Sequence, residues 1–127
     1  MGMGYSANCC DVVRAEFIKK IVPTEWNTLD TLLKEKNMTW DELASVLNIL
    51  FEDLDTDIQE AYDNLVHRFE DTTNLSLALL YHNSNDSGDR YDEVDGHFWG
   101  VDGTRQFSEA GLKYSGEIER KYWVTYG

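Results

Sequence analysis

A chain of 127 residues is long enough for one hydrophobic core and too short for two, so we expect a single domain over residues 1–127. An apolar fraction of 42% with 13% aromatic residues excludes a disordered acidic tail, and no apolar run is long enough to span a membrane. A net charge of −13 disfavours direct binding to nucleic acid or to anionic lipid, because phosphates need positively charged partners.

The first two predicted elements are helices. The first has an apolar face at four-residue spacing, formed by Cys9, Val13, Phe17 and Ile21. We expect it to stop at Pro23, because proline interrupts helical hydrogen bonding. Thr24 is placed to cap the second helix. The apolar stripe of that helix comprises Trp26, Leu29, Leu32 and Leu33.

Two further helices follow. The run Thr39-Trp40-Asp41-Glu42 has the pattern of a capping box and predicts the start of a third helix. Its expected inward side chains are Leu43, Val46, Leu47 and Leu50. The fourth helix has an apolar stripe at spacings of three and four, formed by Ile58, Ala61, Leu65 and Phe69.

After Asn74 the hydrophobic period changes to two, which is typical of strands. Residues 75–81, 91–101 and 117–126 predict three strands, with a tight turn at residues 101–104. The segment 105–116 is ambiguous between a loop and a short helix capped by Ser108. The pattern therefore predicts an α+β domain, with a helical half at residues 6–73 and a small three-stranded antiparallel sheet at residues 74–127.

The segment Leu33–Ile49 loosely resembles the first half of a helix-turn-helix, and the following hairpin would then serve as a wing. The resemblance implies a winged-helix-like helical half. The helix in the recognition position, residues 55–69, is the most acidic in the chain, whereas DNA-reading helices carry basic and amide side chains. A winged-helix-like scaffold used for homodimerisation is therefore one alternative function.

The charge is concentrated in the middle of the sequence. Residues 41–71 contain ten acidic residues and one basic residue, Arg68, and residues 86–102 contain six acidic residues and one basic residue, Arg90. Helix dipoles account for some of these acids, since anions are favoured near helix N-termini. Asp53/Asp57, Asp57/Glu60 and Glu60/Asp63 are nevertheless like-charge pairs at helical contact spacing, each costing about 0.2–0.5 kcal/mol. A merely solvated face and a functional acidic surface are both compatible with this pattern.

We expect the functional alternative to dock on a basic protein surface, because carboxylates in rows can occupy sites built for phosphates. Such a protein would be a non-enzymatic inhibitor or immunity-type protein of the phage or mobile-element kind, for example an anti-CRISPR or anti-restriction protein that mimics nucleic acid. The expected partner-binding residues are Glu52, Asp53, Asp55, Asp57, Glu60 and Asp63.

The second alternative is a divalent-metal-binding protein or metal-dependent enzyme. Glu93, Asp95 and His97 lie at alternate positions of the second predicted strand, so they would share one face with Trp99. Two carboxylates and an imidazole are metal ligands, but the same alternation is typical of any strand with one solvated face. A strand with one solvated face is the better explanation of this pattern, and we expect no cofactor.

The cysteines bear on the redox compartment, and the catalytic motifs bear on enzymatic activity. Cys9 and Cys10 are adjacent, which makes a disulfide between them strained, so we expect a reduced, cytoplasmic protein. Neither has a neighbouring signature of an activated thiol. No phosphate-binding glycine loop or zinc spacing is found. The sequence therefore predicts a protein that is not an enzyme.

Overall fold

The computed structural model describes residues 5–83, 95–102 and 109–126. The helices are α1 (Ala15–Ile21), α2 (Pro23–Glu35), α3 (Trp40–Ile49), α4 (Thr56–Thr73) and α5 (Glu109–Lys113). The strands are β1 (Tyr5–Val13), β2 (Ser76–Asn83), β3 (Asp95–Asp102) and β4 (Ile118–Tyr126). Short 3-10 turns lie at Phe51–Asp53 and Ser115–Glu117. The predicted turn at residues 101–104 falls mostly outside the described residues.

The four strands form one antiparallel sheet in the order β2-β3-β1-β4. The N-terminal strand β1 is central: Val13 pairs with Trp99 of β3 on one side and with Ile118 of β4 on the other. The β1-to-β2 and β3-to-β4 connections each pass over one intervening strand. This connectivity is that of the split β-α-β arrangement, with α1–α4 in the first crossover and α5 in the second.

The N-terminal strand corrects the first sequence prediction. The sequence predicts that the helical half begins at residue 6 and that Cys9 and Val13 lie on one face of its first helix. The structure places both residues in β1, where Cys9 is exposed and Val13 is buried. Residues four apart share a face in a strand as well as in a helix, because four is a multiple of the strand period. The spacing of Cys9 and Val13 therefore did not discriminate between the two structures.

The helix boundaries follow local chemistry. The predicted interruption at Pro23 is confirmed, since α1 ends at Ile21 and Pro23 occupies the first turn of α2. The expected cap at Thr24 was wrong, because α2 begins two residues earlier than that cap implies, with Val22 as its N-cap. The capping box of α3 is confirmed: the Glu42 N–H donates to the Thr39 hydroxyl, and the Thr39 N–H donates to the Glu42 carboxylate.

The core lies between the helices and one face of the sheet. Leu77, Leu79, Trp99 and Val101 share that face and are buried, whereas Ser76 and Ala78 on the opposite face are exposed. The predicted stripe of α4 is confirmed, because Ile58, Ala61, Leu65 and Phe69 are all buried. Full burial of a side chain such as Leu65 or Phe69 contributes about 1.5–3 kcal/mol to folding.

The α+β class is confirmed, but the sheet has four strands rather than three. The structure does not support a winged helix. The β2–β3 hairpin is part of the sheet rather than a projecting wing, and α4 packs against α2 and β2. Within the described residues, none of the helices combines the length and apolarity needed to cross a membrane.

Candidate functional site

The six predicted partner-binding acids lie on the Phe51–Asp53 turn and on the first half of α4. Glu52 and Asp53 belong to the turn, Asp55 is the N-cap of α4, and Asp57, Glu60 and Asp63 lie within the helix. All six are exposed. Because the apolar stripe of α4 faces the core, the acids of this amphipathic helix are left on its solvent side.

Asp55 has a structural role that separates it from the others. One carboxylate oxygen accepts a hydrogen bond from the Asp57 N–H at 2.9 Å, and the other lies 2.9 Å from the Lys36 Nζ. The Lys36 hydrogen bond, followed by the Asp57 N–H, holds the pKa of Asp55 below its ordinary value. Asp55 therefore caps α4 and ties its start to the end of α2.

The remaining five acids, Glu52, Asp53, Asp57, Glu60 and Asp63, are called the acidic surface below. Within the described parts of the chain, none of these five carboxylates has a hydrogen bond or ion pair to a side chain. Between Lys36 and Arg68 the sequence has no lysine or arginine. Lys36 is paired with Asp55, and Arg68 Nε lies 3.7 Å from Glu25. Among the described residues, the acidic surface therefore has no paired cation, although the charge of Lys36 also interacts with Asp57.

Two of the three predicted like-charge pairs occur within one helix. Asp57/Glu60 and Glu60/Asp63 are three residues apart in α4, where such pairs each cost about 0.2–0.5 kcal/mol. The expected Asp53/Asp57 helical pair was wrong, because α4 begins at Thr56 and Asp53 belongs to the preceding turn.

An apolar groove adjoins the acidic surface, and it was not predicted from the sequence. It has a volume of about 260 Å³ and is lined by Met38, Ser45, Val46, Ile49, Leu50, Asp53 and Leu54. Leu50 was expected to point inward from α3, but it is the C-cap residue of that helix and is 54% exposed. Ile49 is 75% exposed. The available signal was the run Ile49-Leu50-Phe51, since three consecutive apolar residues cannot all lie on one helix face.

The predicted metal ligands are only partly within the described structure. Glu93 and the side chain of Asp95 lie outside it. His97 is in β3, and its Nδ1 lies 2.6 Å from Oδ1 of Asp41, which also accepts the His97 backbone N–H at 3.1 Å. One ring nitrogen of His97, Nδ1, is thus already hydrogen-bonded to Asp41. Among the described residues, no three histidine, cysteine or acidic side chains are grouped as a metal site would require.

The Asp41–His97 contact links α3 to β3. The hydrogen bond from the His97 side chain is the main reason that the pKa of Asp41 lies below its ordinary value. The carboxylate also lies close to Gly96, which has a φ of 98° that L-residues rarely adopt. Asp41 lies in the first turn of α3, where the helix dipole also favours an anion. The contact is therefore well explained as a structural tie.

An aromatic cluster surrounds this tie. Trp40 stacks on Trp26 with ring centroids 4.7 Å apart, and it contacts both Trp99 and His97. The strand alternation correctly predicted that His97 and Trp99 share a face, but that face is covered by the helices. Trp99 is 3% exposed, so it serves the core and is not an exposed anchor for a partner.

The cysteine positions do not favour thiol chemistry. Burial, followed by the nearby negative charge of Asp11, raises the pKa of Cys10 above its ordinary value. A raised pKa reduces the thiolate fraction, and the thiolate is the reactive form. Cys10 Sγ instead donates a hydrogen bond to the Asp11 carbonyl at 3.3 Å. Cys10 is therefore better explained as part of the sheet than as a nucleophile.

Comparison with known proteins gives no relative from which a function can be transferred: no protein-family model, curated protein or solved structure matches this chain.

Proposed function

We propose that this chain is a small non-enzymatic interaction protein that docks its acidic surface on a basic protein surface. The action proposed is that of an inhibitor or immunity-type protein of the phage or mobile-element kind, such as an anti-CRISPR or anti-restriction protein. Its partner would be a nucleic-acid-binding enzyme, and its carboxylates would take the place of phosphates in the basic channel of that enzyme.

The observation that carries the proposal is that, among the described residues, no side chain forms a hydrogen bond or ion pair with the acidic surface. Five exposed carboxylates lie in a segment without lysine or arginine, and the described structure gives them no side-chain partner. Soluble surfaces usually intersperse both signs of charge, so a patch of one sign calls for an explanation. A single-sign field instead attracts a complementary surface and accelerates association with it.

The proposal predicts association that depends strongly on salt, because exposed charges are screened over about 10 Å at 0.1 M ionic strength. The test is capture of partners from bacterial lysate by the tagged protein, at low and at high salt, with identification by mass spectrometry. We expect a nucleic-acid-binding protein whose capture at low salt is strongly reduced at high salt and which is displaced by added DNA fragments.

Two triple variants make the test specific. Asp57→Lys, Glu60→Lys and Asp63→Lys together should abolish capture and leave the fold intact, as judged by circular dichroism. The control reverses three exposed acids on α1, α5 and β4, namely Glu16, Glu109 and Glu119, with the same change in net charge. Equal capture by the acidic-surface variant and the wild type would refute the proposal. Equal loss in both variants would show that net charge, rather than this surface, is recognised.

Two measurements on the purified protein address the alternatives. Sedimentation velocity would reveal a homodimer, as the dimerisation scaffold requires. A thermal-stability gain with a divalent ion that is lost in His97→Ala would favour the metal-binding alternative.

A further inference from the structure

The groove beside the acidic surface is formed where α3 ends and the chain turns toward α4. The C-terminal side chains of α3 lie on one side, and Leu54 and Met38 complete the lining. Its volume of about 260 Å³ is sufficient for an apolar side chain of a partner. Asp53, a member of the acidic surface, lines the same groove, so the two features are contiguous.

The exposure of the groove residues is unusual for a folded domain. Ile49 and Leu50 are consecutive, and both keep more than half of their surface in water. Scattered exposed apolar residues need no explanation, but contiguous ones beside a groove are characteristic of interaction sites. Apolar pockets with a charged rim are where the anchoring residues of an interface are found.

The charge of the groove residues and of their segment indicates the chemistry of an occupant. Asp53 lines the groove, and the lining residues all belong to the segment from residue 37 to residue 67, which has eight acidic residues and no lysine or arginine. Lys36, just before this segment, is paired with Asp55. An acidic segment would be repelled here, and a neutral apolar segment would bury apolar surface in the groove but gain no electrostatic attraction. A segment with an apolar face flanked by lysine or arginine would match both the groove and its rim.

We infer that the groove binds a basic amphipathic helix of the partner protein, with one apolar side chain anchored between Ile49 and Leu54 and with basic side chains directed toward Asp53. This inference rests on the proposed function and adds to it a part of the interface that does not depend on salt. The acidic surface governs encounter, and the groove slows dissociation.

The test uses a synthetic amphipathic peptide of about 18 leucine and lysine residues, long enough to form a stable helix on binding. Its binding to the full chain is measured by fluorescence anisotropy at about 50 mM and about 500 mM salt. At high salt, Ile49→Gln should weaken binding about tenfold, as expected for loss of an anchoring residue. Leu112→Gln is the matched control, because Leu112 is 64% exposed on α5, outside the groove.

Two control peptides separate apolar anchoring from charge. A peptide with the same lysines but with serine in place of leucine should bind at low salt only. A leucine and glutamate peptide should not bind at either salt concentration. Binding of that acidic peptide as tightly as the basic one would overturn the inference that the occupant is basic.

The outcomes also separate this inference from the proposed function. If Ile49→Gln and Leu112→Gln bind the leucine and lysine peptide equally, the groove inference is overturned. Loss of binding in the Asp57, Glu60 and Asp63 lysine variant would, in that case, still support docking by the acidic surface. If Ile49→Gln alone weakens binding, the groove inference is supported, and a contribution of Asp57, Glu60 and Asp63 to peptide binding is refuted, while the capture experiment decides the proposed function. A dimer of the wild type that Ile49→Gln dissociates would identify a second copy as the occupant and overturn the inference.

Discussion

Substitution of Gly96 by alanine tests the junction between α3 and β3. Gly96 has a φ of 98°, and a Cβ at this position would lie 3.3 Å from Oδ1 of Asp41. An L-residue held in such a conformation costs about 1–3 kcal/mol. The lower entropy of the unfolded alanine chain offsets about 0.4–1 kcal/mol of this cost. We therefore expect Gly96→Ala to lower the free energy of unfolding by about 1–2 kcal/mol.

The assay is urea denaturation followed by circular dichroism, supported by thermal melting. A loss of this size corresponds to a decrease in Tm of roughly 3–8 °C for a domain of this length. Gly116→Ala is the matched control, because Gly116 has no positive φ and nothing lies within 4 Å of the position of its Cβ. There the same substitution should raise stability by about 0.4–1 kcal/mol through the unfolded state.

A second background separates the two causes of the loss. In Asp41→Ala the carboxylate is removed, so the close approach disappears while the unfavourable φ of Gly96 remains. Gly96→Ala should then cost less than in the wild type but still destabilise the protein. Equal changes in the free energy of unfolding for Gly96→Ala and Gly116→Ala would contradict this reasoning. They would mean that neither the positive φ of Gly96 nor the close approach of Asp41 to β3 is present in solution.

Three further predictions concern the helices α3 and α4. Thr39→Ala removes the capping box of α3 and should cost about 1 kcal/mol in urea denaturation, whereas Thr39→Ser should retain most of that stability. Glu60→Lys replaces two like-charge contacts in α4 with favourable ones and should raise stability by about 0.8–2 kcal/mol at low salt. This gain should disappear at high salt, and a gain that persists there would contradict its electrostatic origin. The stability difference between the wild type and Asp41→Asn should depend on pH, because His97 lowers the pKa of Asp41 in the folded protein. The stabilisation by the Asp41 carboxylate is complete above the ordinary aspartate pKa, and it is lost as the pH falls through the lower pKa of the folded state. Since Asp41 is more than half exposed, this difference should stay below about 1 kcal/mol, and denaturation between about pH 6 and pH 2 measures it.

The elements that the sequence predicted well are those determined by local interactions. The capping box at Thr39 and the stripe from Ile58 to Phe69 are set by contacts within one helix, so short-range patterns were sufficient. Strand β1 depends on partners near the other end of the chain, since Asp11 pairs with Val101 and with Arg120. Its local spacing was compatible with a helix, and only the long-range pairing decides the structure.

In the candidate site, too, the sequence predicts features set by local patterns but not those set by contacts between distant residues. The exposure of the predicted acids followed from the amphipathic pattern of α4, because a helix that buries one stripe leaves the opposite side in solvent. The contact of Asp41 with His97 joins residues 56 positions apart in the chain, and no spacing rule indicates it. The groove arises from the angle between α3 and the chain that follows it. Such features depend on tertiary packing rather than on the order of residues.

The structure separates acids that pair with basic or imidazole side chains from the acids of the acidic surface, and the proposed function rests only on the second group. Asp11, Asp30, Asp41 and Asp55 each contact a cationic or imidazole side chain and connect separate elements or successive turns. Asp11, for example, lies 2.8 Å from Arg120 and joins β1 to β4. Part of the net charge is therefore used in folding. The acidic surface has no such role in the described structure, and its helical pairs oppose folding. An interpretation based on function must account for those five carboxylates and the adjacent groove, rather than for the net charge of the whole chain.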